Sequence, residues 1–65
     1  MTFRQVSKVL QRNGFEVVRV SGSHHRFKHV DGRWTIVASH GNAVIPLGTM
    51  RAIVRQSCLD DSEWL

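Results

Sequence analysis

The chain has 65 residues, with nine Lys and Arg against five Asp and Glu, a formal net charge of +4. This length predicts one domain, residues 1–65, with one small core and no second domain to supply a cofactor pocket. Cys58 is the only cysteine, which excludes an intramolecular disulfide and a cysteine-based zinc site and suits the reducing cytoplasm. No apolar run approaches the roughly 20 residues that span a membrane, so we expect no membrane partner.

The charge is unevenly distributed along the chain. Three of the five acids lie in the last six residues, so residues 1–59 carry nine positive and two negative side chains. A surface of that sign attracts phosphate backbones through counterion release. The concentration of charge therefore favours a polyanion such as RNA as partner, although plain solubility is the alternative.

Residues 2–13 are predicted to form a first helix. Thr2 with Gln5 three residues later is a capping-box pattern, and Gly14 suits the left-handed position after a helix end. The apolar side chains that recur at helical spacing are Phe3, Val6 and Leu10.

Arg4, Lys8 and Arg12 form a basic stripe on another face of this helix, because they follow an i, i+4, i+8 spacing. Arg4 and Lys8 are candidate RNA-phosphate contacts. A solvated helix face explains the same stripe equally well.

Three strands are predicted next, over residues 15–20, 24–30 and 33–39. The first is rich in β-branched and aromatic residues. Ser21-Gly22-Ser23 separates the first two strands. Asp31-Gly32 is a strong signal for a two-residue type I′ hairpin between the last two.

A loop over residues 40–47 leads to a second helix over residues 48–58, and Asp60 is placed to cap a final turn. The predicted fold class is therefore α+β, with the order α-β-β-β-α. Two amphipathic helices cover one face of a three-stranded antiparallel sheet and leave the other face open.

A two-residue loop fixes a register in which Val30 pairs with Arg33 and His29 with Trp34. The side chains then expected on the core face are His25, Phe27, His29, Trp34, Ile36 and Ala38. Those expected on the open face are His24, Arg26, Lys28, Thr35, Val37 and Ser39. A one-residue slip would exchange the faces of a strand.

All four histidines lie between residues 21 and 42. The predicted register sends His24 to the open face, and His25 and His29 to the core face, where His29 is expected to stack on Trp34. His40 follows the strand opposite His24, so the two are expected near one end of the sheet. A metal site needs three or four converging ligands. We therefore expect no metal and no cofactor.

Acid–base chemistry on RNA suits an exposed histidine among cations. An imidazole takes a proton from a ribose 2′-OH near neutral pH, and Arg26 and Lys28 would hold the phosphate. His24 as a polar strand end in a non-catalytic RNA-binding module is equally compatible with the residues. A metal-binding regulator is a third interpretation, which predicts an effect of chelators.

The stretches "GSHHRFKHVDGR", "HGN" and "PLGTMRAIVRQS", in this order, resemble the HicA (YcfA-like) toxin family over nearly the whole chain. The resemblance implies a double-stranded-RNA-binding-like fold and an mRNA interferase that cleaves transcripts and inhibits translation. It also implies a cytoplasmic HicB-like antitoxin that covers the active surface.

The G-S-H motif of the family corresponds to Gly22-Ser23-His24, which makes His24 the expected catalytic residue. Some members carry the functional histidine one place later, so His25 is a reserve candidate. Ser23 is a candidate to orient His24 by a hydrogen bond, and His40 is a candidate second proton donor.

Two positions depart from the family pattern. Ala38 stands where proline is frequent, which would loosen the loop that carries His40. Cys58 stands where glycine is frequent, and cysteine lacks glycine's tolerance for the left-handed conformation.

Overall fold

The computed structural model describes all 65 residues and confirms the α-β-β-β-α order and the α+β class. Its elements, in chain order, are α1 (Phe3–Arg12), β1 (Phe15–Ser21), β2 (His24–His29), β3 (Trp34–Ala38), α2 (Leu47–Ser57) and a 3₁₀ turn (Asp61–Trp64). The strands form one antiparallel sheet in the order β1-β2-β3.

The predicted capping box at the start of α1 is confirmed. The backbone N–H of Gln5 donates to the Thr2 hydroxyl at 3.4 Å, and the backbone N–H of Thr2 donates to Gln5 Oε1 at 2.9 Å. These two bonds satisfy donors that a helix N-terminus otherwise leaves unpaired. Gly14 follows the helix end with a φ of +89°, as expected.

Both helices cover the same face of the sheet, and the hydrophobic core lies between them and that face. The core residues are Val6, Leu10, Phe15, Phe27, Val37, Ile45 and Ile53. The Phe3 ring at the start of α1 packs against Phe27 of β2 with centroids 6.2 Å apart. Thr35 of β3 is also fully buried, and its hydroxyl donates to Gln56 Oε1 of α2 at 2.7 Å.

The hairpin between β2 and β3 differs from the prediction by one residue. Its loop has three residues, because the His29 N–H donates to Arg33 O at 2.8 Å and the Gly32 N–H donates to His29 O at 2.9 Å. Gly32 has a φ of +101°, whereas Asp31 keeps a negative φ. A type I′ turn would have forced both residues to positive φ, which only glycine adopts without strain.

This slip exchanges the two faces of β3. Thr35 and Val37, expected on the open face, are fully buried, and Trp34 and Ile36, expected in the core, are 45% and 43% exposed. The expected Val30–Arg33 and His29–Trp34 pairs are therefore wrong; Lys28 pairs with Trp34 instead. The faces predicted for β2 are correct, since Phe27 is fully buried.

β1 contains an irregularity that the sequence pattern did not reveal. Its pairing with β2 shifts by one residue between Val17 and Arg19, so that Val18 bulges. Before the bulge, odd-numbered residues such as Phe15 face the core. After it, the parity inverts, and Arg19 stands opposite Arg26 on the open face.

Candidate nucleic-acid interface

The uncovered side of the sheet, called here the open face, carries nine side chains of residues that have a cross-strand partner. By strand alternation and cross-strand pairing they are Glu16, Arg19, Ser21, His24, Arg26, Lys28, Trp34, Ile36 and Ala38. Three of them, Arg19, Arg26 and Lys28, are basic, and one, Glu16, is an acid. The open face is therefore basic and carries two large apolar side chains.

His24 lies at the end of β2 on this open face and is exposed, as predicted. Its Cα partners are Ser21 on β1 and Ala38 on β3. Direct partners in an antiparallel pair project to the same side, so small side chains flank the imidazole on both neighbouring strands. A shallow depression brings His24 together with Arg19 and Arg26.

The cations of the open face have no carboxylate partner in the structure. The ion pairs of the chain involve other basic residues: Arg12 with Glu63 and Arg33 with Asp31. Glu16 is the Cα partner of Lys28 but forms no ion pair with it. Arg19, Arg26 and Lys28 are thus available for external anions.

Arg26 is held by an aromatic ring. Its guanidinium carbon lies 4.5 Å from the centroid of the Trp34 ring, a cation–π arrangement across neighbouring strands. The Nε atom of Arg26 is shielded from solvent and has no hydrogen-bond acceptor. The indole, rather than an acid, therefore positions this guanidinium.

His25 and His29 project to the other face of β2. His25 Nδ1 lies 3.1 Å from the Ser23 carbonyl oxygen, and its ring packs on Phe3 with centroids 4.7 Å apart. His29 packs on Phe15 with centroids 5.2 Å apart, not on Trp34 as expected. Both imidazoles are partly buried in packing contacts.

His40 lies in the loop after β3 and is exposed. It lines a small pocket that also includes Ala38, the cross-strand partner of His24. His24 and His40 therefore belong to the same end of the sheet. The Ser23 hydroxyl makes no hydrogen bond to His24; instead, the Ser23 carbonyl accepts the Ser39 N–H at 2.7 Å.

Arg4 and Lys8 are exposed on α1, and α1 packs on the covered side of the sheet. The structure therefore separates these two residues from Arg26 and Lys28, which project to the open face. The four histidines are also divided between the two faces, and no group of three His, Cys, Asp or Glu side chains is placed to hold a metal ion.

Sequence reasoning predicted only His24, Arg26 and Lys28 of the open-face residues and missed the others, among them Arg19, Ser21 and Trp34. Arg19 and Ser21 reach it only because of the bulge at Val18, which leaves no simple sequence signal. Trp34 reaches it because the hairpin loop has three residues. The Asp-Gly pair also fits that loop, with glycine in the left-handed position.

The fold and this face define a small α+β protein with an exposed histidine among unpaired cations on an open three-stranded sheet. Residues 3–59 match the family model described as the HicA toxin of bacterial toxin–antitoxin systems. The chain belongs to the HicA toxin family, and such a toxin implies an antitoxin partner. No curated protein matches the chain. No helix of the structure has the length and apolar character needed to cross a membrane.

Proposed function

We propose that this toxin is a metal-independent endoribonuclease of the cytoplasm, an mRNA interferase that cleaves mRNA and so inhibits translation, with His24 as its acid–base residue. One observation carries the proposal: His24 is exposed beside Arg19 and Arg26 on a face where no carboxylate neutralises the cations. The side chains that bind phosphate in this proposal, Arg19 and Arg26, therefore lie next to His24, which transfers the proton.

The chemistry needs no group beyond these side chains and the RNA. The His24 imidazole removes the proton of a ribose 2′-OH, and the 2′-oxygen attacks the adjacent phosphorus. The bond between phosphorus and the 5′-oxygen breaks, and that oxygen takes a proton. The products are a 2′,3′-cyclic phosphate and a 5′-OH end. Arg19, Arg26 and Lys28 stabilise the negative charge that builds on the phosphate oxygens.

The other candidates take supporting roles in this proposal. His40 is the candidate proton donor to the leaving 5′-oxygen, since it lies at the same sheet end as His24. His25 is a reserve candidate, but its packing on Phe3 favours a structural role. Ser23 acts through its carbonyl, which fixes the β2 start, rather than through its hydroxyl.

The antitoxin partner is proposed to be HicB-like and to cover the open face. An acidic surface on the antitoxin would compete with RNA for Arg19, Arg26 and Lys28. Covering His24 at the same time would block both substrate binding and proton transfer.

The experiment that tests the proposed function is cleavage of RNA by the purified toxin in EDTA, followed by analysis of the product ends. We expect cleavage with 2′,3′-cyclic or 3′-phosphate ends. A substrate with 2′-deoxyribose at the cleaved nucleotide should resist, because it lacks the nucleophile. Products that end in a 3′-OH would contradict the mechanism, and so would cleavage that requires a divalent cation.

A further inference from the structure

Trp34 stands out on the open face because a large part of its indole lies in solvent rather than in the core. It is 45% exposed, while its neighbour Thr35 is fully buried and needs Gln56 to satisfy its hydroxyl. An indole has far more apolar surface to bury than a threonine side chain. The sheet therefore presents its largest aromatic side chain to the solvent.

We infer that the Trp34 ring, with the Arg26 guanidinium against it, is a stacking platform for a nucleobase of single-stranded RNA. The inference rests on the proposed RNA substrate. Every base has a π face, so an exposed indole within a basic groove binds single strands with little dependence on sequence. The Arg26 guanidinium, 4.5 Å from the ring centroid, holds the indole in place and supplies charge for the adjoining phosphate.

The surroundings of the ring match an unpaired nucleotide in charge and in polarity. Lys28, the Cα partner of Trp34, adds a second cation, and Ile36 adds an apolar side chain on the same strand. A purely apolar protein partner would leave these cations without an acceptor. A nucleotide supplies both an aromatic surface and an anion, so RNA is the occupant that the face favours.

The position of the platform relative to His24 assigns the stacked base to a neighbouring nucleotide. Lys28 lies four residues from His24 along β2, so at the usual rise of a strand the Cα atom of its partner Trp34 lies about 13 Å from the Cα atom of His24. The base on Trp34 is therefore not that of the cleaved nucleotide. Trp34 is a positioning residue that fixes how the strand enters the depression around His24.

The test measures binding of a 2′-O-methyl RNA oligomer, which cannot be cleaved, by the wild-type toxin and by Trp34→Leu. Leucine keeps apolar bulk but removes the π face. We expect Trp34→Leu to bind about 5- to 150-fold more weakly. Val30→Ala is the matched control, since Val30 is exposed at the hairpin tip, and its affinity should not change. An abasic oligomer of the same length should bind both proteins equally.

Fluorescence gives a second, independent readout. The chain has two tryptophans, so in Trp64→Phe only Trp34 emits. Base-bearing RNA should quench this emission, and the abasic oligomer should not.

Two results would overturn the inference without contradicting the proposed function. In the first, Trp34→Leu binds RNA as tightly as the wild type, and the ring would then be a contact for the antitoxin. In the second, Trp34→Leu loses the same affinity for the base-bearing oligomer as for the abasic one. If the wild-type toxin binds no RNA, the proposed function fails together with the inference.

Discussion

Gly14 follows the end of the first helix and lies directly against the imidazole of His29, so that a methyl group on its Cα would lie 2.8 Å from His29 Nε2. The residue also has a φ of +89°. Gly14→Ala therefore combines backbone strain with a steric clash. We expect it to lower the free energy of unfolding by about 2–4 kcal/mol, measured by urea denaturation.

Gly22→Ala is the matched control for this change. Gly22 has a φ of +59°, but a methyl group there would contact nothing within 4 Å. It should cost only the strain of about 1–2 kcal/mol. Adding His29→Ala to Gly14→Ala should recover part of the lost free energy of unfolding. Equal decreases in Gly14→Ala and Gly22→Ala would contradict a clash with His29.

Cys58 ends α2 in the left-handed conformation with a φ of 54°, the only non-glycine residue with a positive φ. Glycine adopts this conformation without the steric penalty that a Cβ imposes, although it gains entropy in the unfolded state. We expect Cys58→Gly to raise the free energy of unfolding by about 0.5–1 kcal/mol. Cys58→Ala keeps the Cβ and should leave the free energy of unfolding nearly unchanged. A lower free energy of unfolding for Cys58→Gly would contradict backbone strain at Cys58.

Asp31 at the hairpin tip accepts hydrogen bonds from the Arg33 backbone N–H at 3.0 Å and from Arg33 Nε at 2.8 Å. The backbone bond, and then the Arg33 side chain, hold the pKa of this carboxyl below its usual range. Because the folded state then binds the proton less readily than the unfolded state, Asp31 stabilises the fold above about pH 4, and this stabilisation is lost as the pH falls through the lowered pKa.

Asp31→Asn tests this dependence. The wild type should have a higher urea midpoint than Asp31→Asn at pH 6, and the two should converge as the pH falls below about 4. Asp61→Asn removes an exposed carboxylate without a hydrogen bond and serves as the control. A midpoint difference that does not change with pH would show that the Arg33 contacts do not act through the charge of Asp31.

The sequence was sufficient to predict the element order, the capping box at Thr2 and the side of the sheet to which His24 projects. These follow from local chemistry and from the parity of β2, whose Phe27 must be buried. The faces of β3 were predicted wrongly because one glycine fits two hairpin loops that differ by one residue. Arg19 was missed because a bulge depends on how two strands pair, which a single strand does not encode.

The basic residues of the open face and those of α1 lie on different sides of the protein, so we expect their removal to affect RNA binding differently. Replacing Arg19 with alanine removes a phosphate contact on the open face. The negative slope of log affinity against log salt concentration should therefore become shallower by about 0.7. Arg4→Ala removes an equal charge from α1 on the covered side and should leave the slope nearly unchanged. Equal losses for the two variants would place RNA across the helix as well as the sheet.

Whether His24 is the acid–base residue is tested by the rate at which wild-type toxin, His24→Ala and His25→Ala cleave RNA under single-turnover conditions in EDTA. Circular dichroism and urea midpoints must first show that the variants are folded. We expect His24→Ala to lose at least the 10²-fold that a general acid–base residue contributes. His25→Ala should cleave nearly as fast as the wild type, because His25 packs on Phe3 on the covered side.

Equal cleavage by His24→Ala and the wild type would contradict the catalytic role of His24 and assign the chemistry to His25 or His40. RNA binding without cleavage by any of the three proteins would instead identify a non-catalytic RNA-binding module.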